Sequence, residues 1–174
     1  MRSIPTPTTA HQGPTGTRSV HFEDIPEALR LIGRAIERGC KEHYDARQRK
    51  AVHEGYVSTM FVEVMGPYET VAVEQQSRLV AFGQLDLREG RLRALFVDAV
   101  AQQRGLGQAF LAHLEQLAAQ RGCVRLHGAM SLNAVSFYEQ AGFRAYAGPE
   151  RLLTLGVWVP VIRMEKELSR RPPG

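Results

Sequence analysis

Apolar positions recur at helical spacing in two long stretches of the chain and alternate with polar ones in several others, and these two periods lay out the expected elements. In the first helical stretch Ile25, Leu29, Ile32 and Ile36 fall on one face. Asp24 is placed to cap it, Pro26 suits its first turn, Glu27 completes a capping-box spacing and Gly39 marks the stop. From Cys40 to Tyr56 the chain is polar and aromatic without a clear period, and only a short helix over Ala46 to Val52 is expected. The stretches ETVAVEQ and RLVAFGQLDL, split by a polar turn around Gln76 and Ser77, then pass through REG into RLRALFVDA. They read as a three-stranded antiparallel meander. A second helix, Gly107 to Arg121, carries Phe110, Leu111, Leu114, Leu117 and Ala118 at helical spacing and stops at Gly122. After it, CVRLHGAM reads as a strand and Asn133 to Ala141 as a helix closed by Gly142. FRAYA is a further strand, and LLTLGVWVPVIRMEKEL a last one in which Pro160 requires an edge or a bulge.

This order embeds one strand–helix–strand crossover in a mostly antiparallel sheet, which makes the fold class α+β. One domain, from about Ser19 to Leu168, accounts for all of it. Residues 1–18, rich in Pro, Thr and Gly, read as a flexible N-terminal tail, and 169–174 as a C-terminal tail.

Composition narrows the function classes. A chain of 174 residues with 44% hydrophobic and 23% charged residues has the balance of one soluble domain with a proper core. The net charge of +4 comes from scattered arginines, with lysine only at 41, 50 and 166, which argues against nucleic acid as a partner. Cys40 and Cys123 lack disulfide-framework and metal spacing, so a reducing compartment and no metal are expected. No apolar run approaches the roughly 18 residues of a membrane span, and no signal core opens the chain, so the expected location is cytoplasmic.

The candidate chemistry lies in QQRGLGQAF, Gln102 to Phe110, between a strand ending at Val97 and the second helix. A helix N-terminus offers unpaired N–H groups and partial positive charge, and glycine lets a backbone approach an anion closely. Arg104 adds a full charge. A P-loop is excluded because Gln108 and Ala109 break its pattern, and a dinucleotide fingerprint because Phe110 stands where the third glycine is needed. Taken alone, the loop reads equally well as an anion cradle or as a turn that needs glycine.

Its surroundings are more specific. Gln102-x-x-Gly105-x-Gly107, five residues after Val97, resembles motif A of the GNAT superfamily of acyl-CoA-dependent N-acyltransferases, and NAVSFYEQAGF, Asn133 to Phe143, resembles its motif B. The closing VIRMEKEL is similar to the final strand of many members, and the element order matches the family fold from about 19 to 168. The resemblance implies a mixed, mostly antiparallel central sheet flanked by helices and splayed at the acyl-CoA site. It implies acetyl-CoA as acyl donor, with the pyrophosphate on the amides of Gln102, Gln103, Arg104, Gly105, Leu106 and Gly107 and Gln108 opening the helix. The pantetheine arm would pair with Leu95, Phe96 and Val97, the Val97 N–H would donate to the thioester oxygen, and Asn133 would contact the same arm unless it caps its helix. Tyr138 falls on the family's general acid, donating toward the departing CoA thiolate.

The base does not transfer by register, since Arg91 stands where several members carry glutamate. Asp86, Asp98 and His127 are nearby candidates, none of them assigned. Acceptor-side candidates are His43, Tyr44, His53 and Tyr56, by location only. The function so implied is direct acetyl transfer to an amine, of a small molecule or of a peptide or protein. The alternative is a non-catalytic acyl-CoA-binding or regulatory module, and the exposed last strand is compatible with a homodimer.

Overall fold

The structure, a computed structural model, describes residues 13–102 and 105–168. Strand β1 (Thr17–Ser19) and a 3-10 turn (Phe22–Asp24) lead into α1 (Ile25–Gly39) and α2 (Ala46–Val64). The meander follows as β2 (Glu69–Gln75), β3 (Arg78–Asp86) and β4 (Arg91–Val97). Then come α3 (Ala99–Gln102), α4 (Leu106–Gln120), β5 (Arg125–Ser131), a 3-10 turn (Leu132–Ala134) and α5 (Val135–Gln140). The chain finishes with β6 (Arg144–Ala145), β7 (Glu150–Thr154) and β8 (Val157–Glu167).

The sheet runs β1-β2-β3-β4-β5-β8-β6, with β7 also on β8, and every pair is antiparallel except β4–β5. Mixed α/β architecture with a mostly antiparallel sheet is therefore as expected. Each face has its own core. On one, Phe110, Leu111, Leu114 and Ala118 of α4 join Tyr138 and Phe143 over Leu85, Leu92 and Met164. On the other, Ala28, Leu31, Ile32 and Ile36 of α1 pack on Leu79, Phe82 and Ala94. The buried stripe of α1 thus centres one position away from the expected one, leaving Ile25 and Leu29 at its margin.

Local chemistry explains most boundaries. The β2–β3 hairpin turns on Gln76 and Ser77, both at positive φ (50° and 57°), the backbone that a two-residue hairpin loop of this hand demands. Asp24 precedes α1 without capping it. Its carboxylate instead accepts from Arg18 at 2.7 and 2.8 Å and from the His21 N–H at 2.8 Å, while Glu27 accepts from the Leu79 N–H at 2.9 Å. The expected capping box is replaced by ties to β1 and β3.

Three elements differ from expectation. The short helix over Ala46 to Val52 is the start of the much longer α2, opened by a reciprocal capping box in which Asp45 and Gln48 bond each other's backbone N–H. LLTLGVWVPVIRMEKEL is a hairpin, β7 and β8, turning at Leu155 and Gly156, and FRAYA keeps only Arg144–Ala145 as strand. Pro160 pairs with Arg151 of β7, just before β5 joins β8 at Val161, so its missing N–H breaks no central ladder. Of the expected N-terminal tail, residues 1–12 lie outside the described residues, and pairing begins at Thr17.

Candidate active site

The site is built where the sheet opens. β4 and β5 run parallel and share a single registered pair, Arg91 with His127. Beyond it β5 follows β8 and β4 follows β3, so the two strands part toward their C-terminal ends. A bulge in β4 contributes: Gln84 pairs with Ala94 and Leu85 with Leu92, leaving Arg93 as the extra residue. A bulge bends a strand and shifts its side-chain alternation. Leu92, Leu95 and Val97 consequently face the α4 core, while Ala94 and Phe96 face α1 and α2.

On the α1–α2 side the gap widens into a cavity of about 340 Å³, within the range of small-molecule sites. Its walls come from α2, β4, the end of β5, and the β7–β8 hairpin, with Tyr138 at the α5 side. Tyr138 is 5% exposed and stacks edge-on against Phe137 and Phe143, with ring centroids 5.1 and 5.3 Å away. Its hydroxyl has no hydrogen-bond partner among the described residues. Burial raises its pKa well beyond the ordinary tyrosine range, and neighbouring Tyr56 adds to the rise. Tyr56, edge-on to Phe96 at 5.2 Å, is itself pushed up to about 12, first by burial and then by the Glu63 carboxylate. Both groups stay protonated at neutral pH.

Those of the other expected donor-side residues that are described lie on β4, at the end of α3, at the start of α4 and in the turn before α5. Leu95 and Phe96 line the cavity. The Asp98 N–H donates to Val80 O at 2.8 Å, so strand alternation turns the Val97 N–H toward the opposite edge, on the β5 side. Gly105 precedes α4 at φ +70°, a left-handed conformation that glycine adopts without strain, and an added Cβ would meet nothing within 4 Å. With no side chain to cap, it leaves the first-turn N–H groups of Leu106, Gly107 and Gln108 directed out of the helix. Gly107 has a second reason to be glycine, because a Cβ would come within 3.2 Å of the Phe137 ring. Gln108 reaches across to Phe137 O at 3.4 Å, and Leu106 is buried. Gln102 closes α3, while Gln103 and Arg104 lie outside the described residues.

Asn133 sits in the 3-10 turn before α5 and caps neither turn nor helix. Its Oδ1 accepts from Cys40 Sγ at 3.3 Å, tying the end of α1 to the start of α5. Tyr44 ties the same region to β8: its hydroxyl donates to Pro160 O at 2.7 Å and accepts from the Leu132 N–H at 2.8 Å.

The base candidates are otherwise engaged. Asp98 is 4% exposed, and burial by itself would raise its pKa. The Val100 N–H and Arg34 at 3.1 Å outweigh that, and its pKa is lowered. Asp86 accepts from the Arg88 and Glu89 N–H groups in the β3–β4 turn, and the His127 ring nitrogen is 3.0 Å from Glu89 O. Of the acceptor-side candidates, Tyr44 and Tyr56 line the cavity. His53 packs against Leu29 O at 3.2 Å between α1 and α2, and His43 lies in the turn before α2, outside the lining.

Sequence reasoning missed the polar network at the far end of this cavity. Arg93 bonds Glu63 at 2.7 Å and Gln84 at 3.2 Å and lies 4.2 Å above the Tyr68 ring. Gln84, 1% exposed, passes the network to Thr70 at 3.2 Å. A polar Gln84 in the apolar interior of β3 was the available signal, but the network's member on α2, Glu63, which bonds Arg93, is far away in sequence. No cluster of His, Cys, Asp and Glu among the described residues could hold a metal, and no helix among them is long and apolar enough to cross a membrane.

Comparison with known proteins bears on the same elements. The family profile described as an acetyltransferase (GNAT) domain matches residues 39–168. No curated protein matches the sequence. A crystal structure of a GCN5-related N-acetyltransferase from Rhodopseudomonas palustris superposes with a TM-score of 0.81 at 23% identity, covering 92% of this chain and 99% of that one. The PaiA N-acetyltransferase of Thermoplasma acidophilum, solved in complex with coenzyme A, gives 0.71 at 16% identity over 87% of this chain and 97% of its own. The ribosomal-protein-S18-alanine N-acetyltransferase of Escherichia coli gives 0.60 at 24% identity over 88% and 93%. At these identities the likeness is one of fold.

Proposed function

The chain belongs to the GNAT acetyltransferase family, and on that premise we propose that it is an acetyl-CoA-dependent N-acetyltransferase that moves the acetyl group directly to an amine. The observation that carries this reading is the parting of β4 and β5 between a glycine-opened helix and Tyr138, a buried residue whose hydroxyl has no hydrogen-bond partner among the described residues. An extended thioester arm fits such a gap as an added strand against Leu95, Phe96 and Val97. The CoA pyrophosphate then meets the N-terminus of α4, where Gly105, Leu106, Gly107 and Gln108 give access to backbone N–H groups, with Gln102, Gln103 and Arg104 preceding them. Asn133 holds α5 in place and is assigned to the pantetheine arm.

In the reaction the amine nitrogen attacks the thioester carbon, the C–S bond breaks, and the thiolate gains a proton as the amine loses one. Tyr138 is assigned to the sulfur, where its hydroxyl hydrogen-bonds the developing negative charge. Asp86, Asp98 and His127 have other partners, so the acceptor is expected to react as its neutral amine. Turnover should therefore rise with pH through the acceptor's own titration. The test is thiol release from acetyl-CoA across a panel of small amines, amino acids and peptides. Acceptor-dependent release supports the reading. Acetyl-CoA binding with no release for any amine would favour a non-catalytic acyl-CoA-binding module, a reading supported by the engagement of all three base candidates.

A further inference from the structure

The cavity's charges do not balance. Four ionic side chains line it: Arg49, Glu63, Arg91 and Arg93. Glu63 and Arg93 neutralise each other at 2.7 Å. Arg49 is held by Glu37 at 3.3 Å and by Tyr44 O at 2.7 Å. Arg91 is half-buried and has no hydrogen bond or ion pair among the described residues.

The carboxylates around Arg91 form no ion pair with it among the described residues. Its cross-strand neighbour Asp86 accepts from the Arg88 and Glu89 amides through Oδ1. His127, its partner on β5, engages Glu89 O. Glu165, beside His127 on β8, is shared by Arg125 at 2.9 Å and Arg144 at 3.1 Å. The rest of the cavity wall is largely aromatic or apolar, with Tyr56, Phe96, Leu152 and Val159 beside a few neutral polar side chains such as Thr59 and Gln84. A guanidinium carries five donors in a fork that matches a carboxylate. Leaving one partly desolvated without an acceptor costs stability, and such an arrangement is expected where a ligand supplies the missing charge.

Resting on the N-acetyltransferase reading above, we propose that the acceptor is a small amine that also carries a carboxylate, and that Arg91 receives this carboxylate at the end of the cavity away from Tyr138. The bulge supports the placement, because it sets Arg91 and Phe96 on the same side of β4 with Arg93 between them. Five residue steps along the strand, roughly 16 Å of backbone, lead from Arg91 to Phe96, and the arginine side chain spans part of that distance. The aromatic and aliphatic part of the wall, Tyr56, Phe96, Leu152 and Val159 among it, suits an aliphatic or aromatic body. A polycationic amine is disfavoured, since it would meet three arginines and one glutamate.

The test compares leucine and phenylalanine, free and N-acetylated, with their carboxamides, by calorimetric binding to the CoA-loaded protein and by thiol release. Arg91→Gln, Arg91→Lys and the unsubstituted chain are each measured, with folding checked by thermal melting. The wild-type protein should bind the carboxylates at least tenfold more tightly than the carboxamides. Arg91→Gln should abolish that ratio, Arg91→Lys should restore part of it, and acetyl-CoA affinity should hold in both. Equal binding of acid and amide by the wild-type protein, binding of neither, or an acid preference that survives Arg91→Gln would overturn the inference. Thiol release with carboxamides alone would remove the carboxylate and keep the acetyltransferase. Carboxylate binding without release from any amine would leave the anion site standing and remove the activity.

Discussion

Replacing Tyr138 with Phe removes one oxygen and leaves the ring in its contacts with Phe137 and Phe143. The lost hydroxyl has no protein partner among the described residues, so the usual penalty for deleting a hydrogen bond does not arise. Stability should stay within about 1 kcal/mol, or roughly 2–4 °C in Tm for a chain of this size. Catalysis should respond very differently. Burial holds the Tyr138 hydroxyl far above the pKa of ~8.5 expected for a free thiol, so full proton transfer to the departing thiolate is uphill. What the hydroxyl can supply is a hydrogen bond to the charge growing on sulfur, about 1.5–3 kcal/mol for a charged acceptor. At 1.36 kcal/mol per decade that is roughly a 10- to 150-fold loss in kcat. The assay is initial-rate thiol release with both substrates varied, beside a calorimetric Kd for acetyl-CoA and a thermal melt. A kcat within roughly twofold of wild type, on a scale where tenfold is 1.36 kcal/mol, would refute the role at sulfur. A parallel loss of acetyl-CoA affinity or of Tm would show that the hydroxyl acts through structure.

Gly105→Val should weaken acetyl-CoA binding through backbone strain alone, since φ is +70° and the site is sterically open. The strain is about 1–2 kcal/mol, Gly105→Asn should be milder, and unchanged calorimetric affinity for both would remove the cradle. Phe110→Ala empties a fully buried position beneath Gly83 and should cost about 3–5 kcal/mol, a Tm drop of roughly 6–20 °C by calorimetry. The Arg18 guanidinium holds Asp24 at about 2, below its ordinary 3.8, against the opposing effect of burial. A carboxyl lowered in the folded state stabilises above its unfolded pKa and loses that contribution as pH falls toward the folded one. Urea melts should therefore show roughly 1–2 kcal/mol disappearing between about pH 4 and pH 2, discounted for the partly exposed Arg18, and Asp24→Asn should flatten that slope.

What the sequence determined by itself was whatever depends on local periodicity and local chemistry. The apolar stripes of α1 and α4, the Gln76–Ser77 hairpin and the spacing from Val97 to Gly105 and on to Asn133 were all legible, because each is set by residues a few positions apart. α2 was legible only in part. Its interior buries just Ala51 and Met60, so no single stripe announced it, although Asp45 and Gln48 carried the capping signal. Tertiary structure alone decided the site. The bulge at Arg93 exists only in register with β3, and it is what turns Arg93 and Ala94 toward α2 in succession. The meeting of Tyr56 with Phe96, the Arg93–Glu63–Gln84 network and the engagement of Asp86, Asp98 and His127 all join residues from different elements. Charge balance is a property of such a neighbourhood rather than of a segment. In sequence Arg91 was one arginine among many; folded beside groups already paired, it is the cavity's cation without a partner among the described residues.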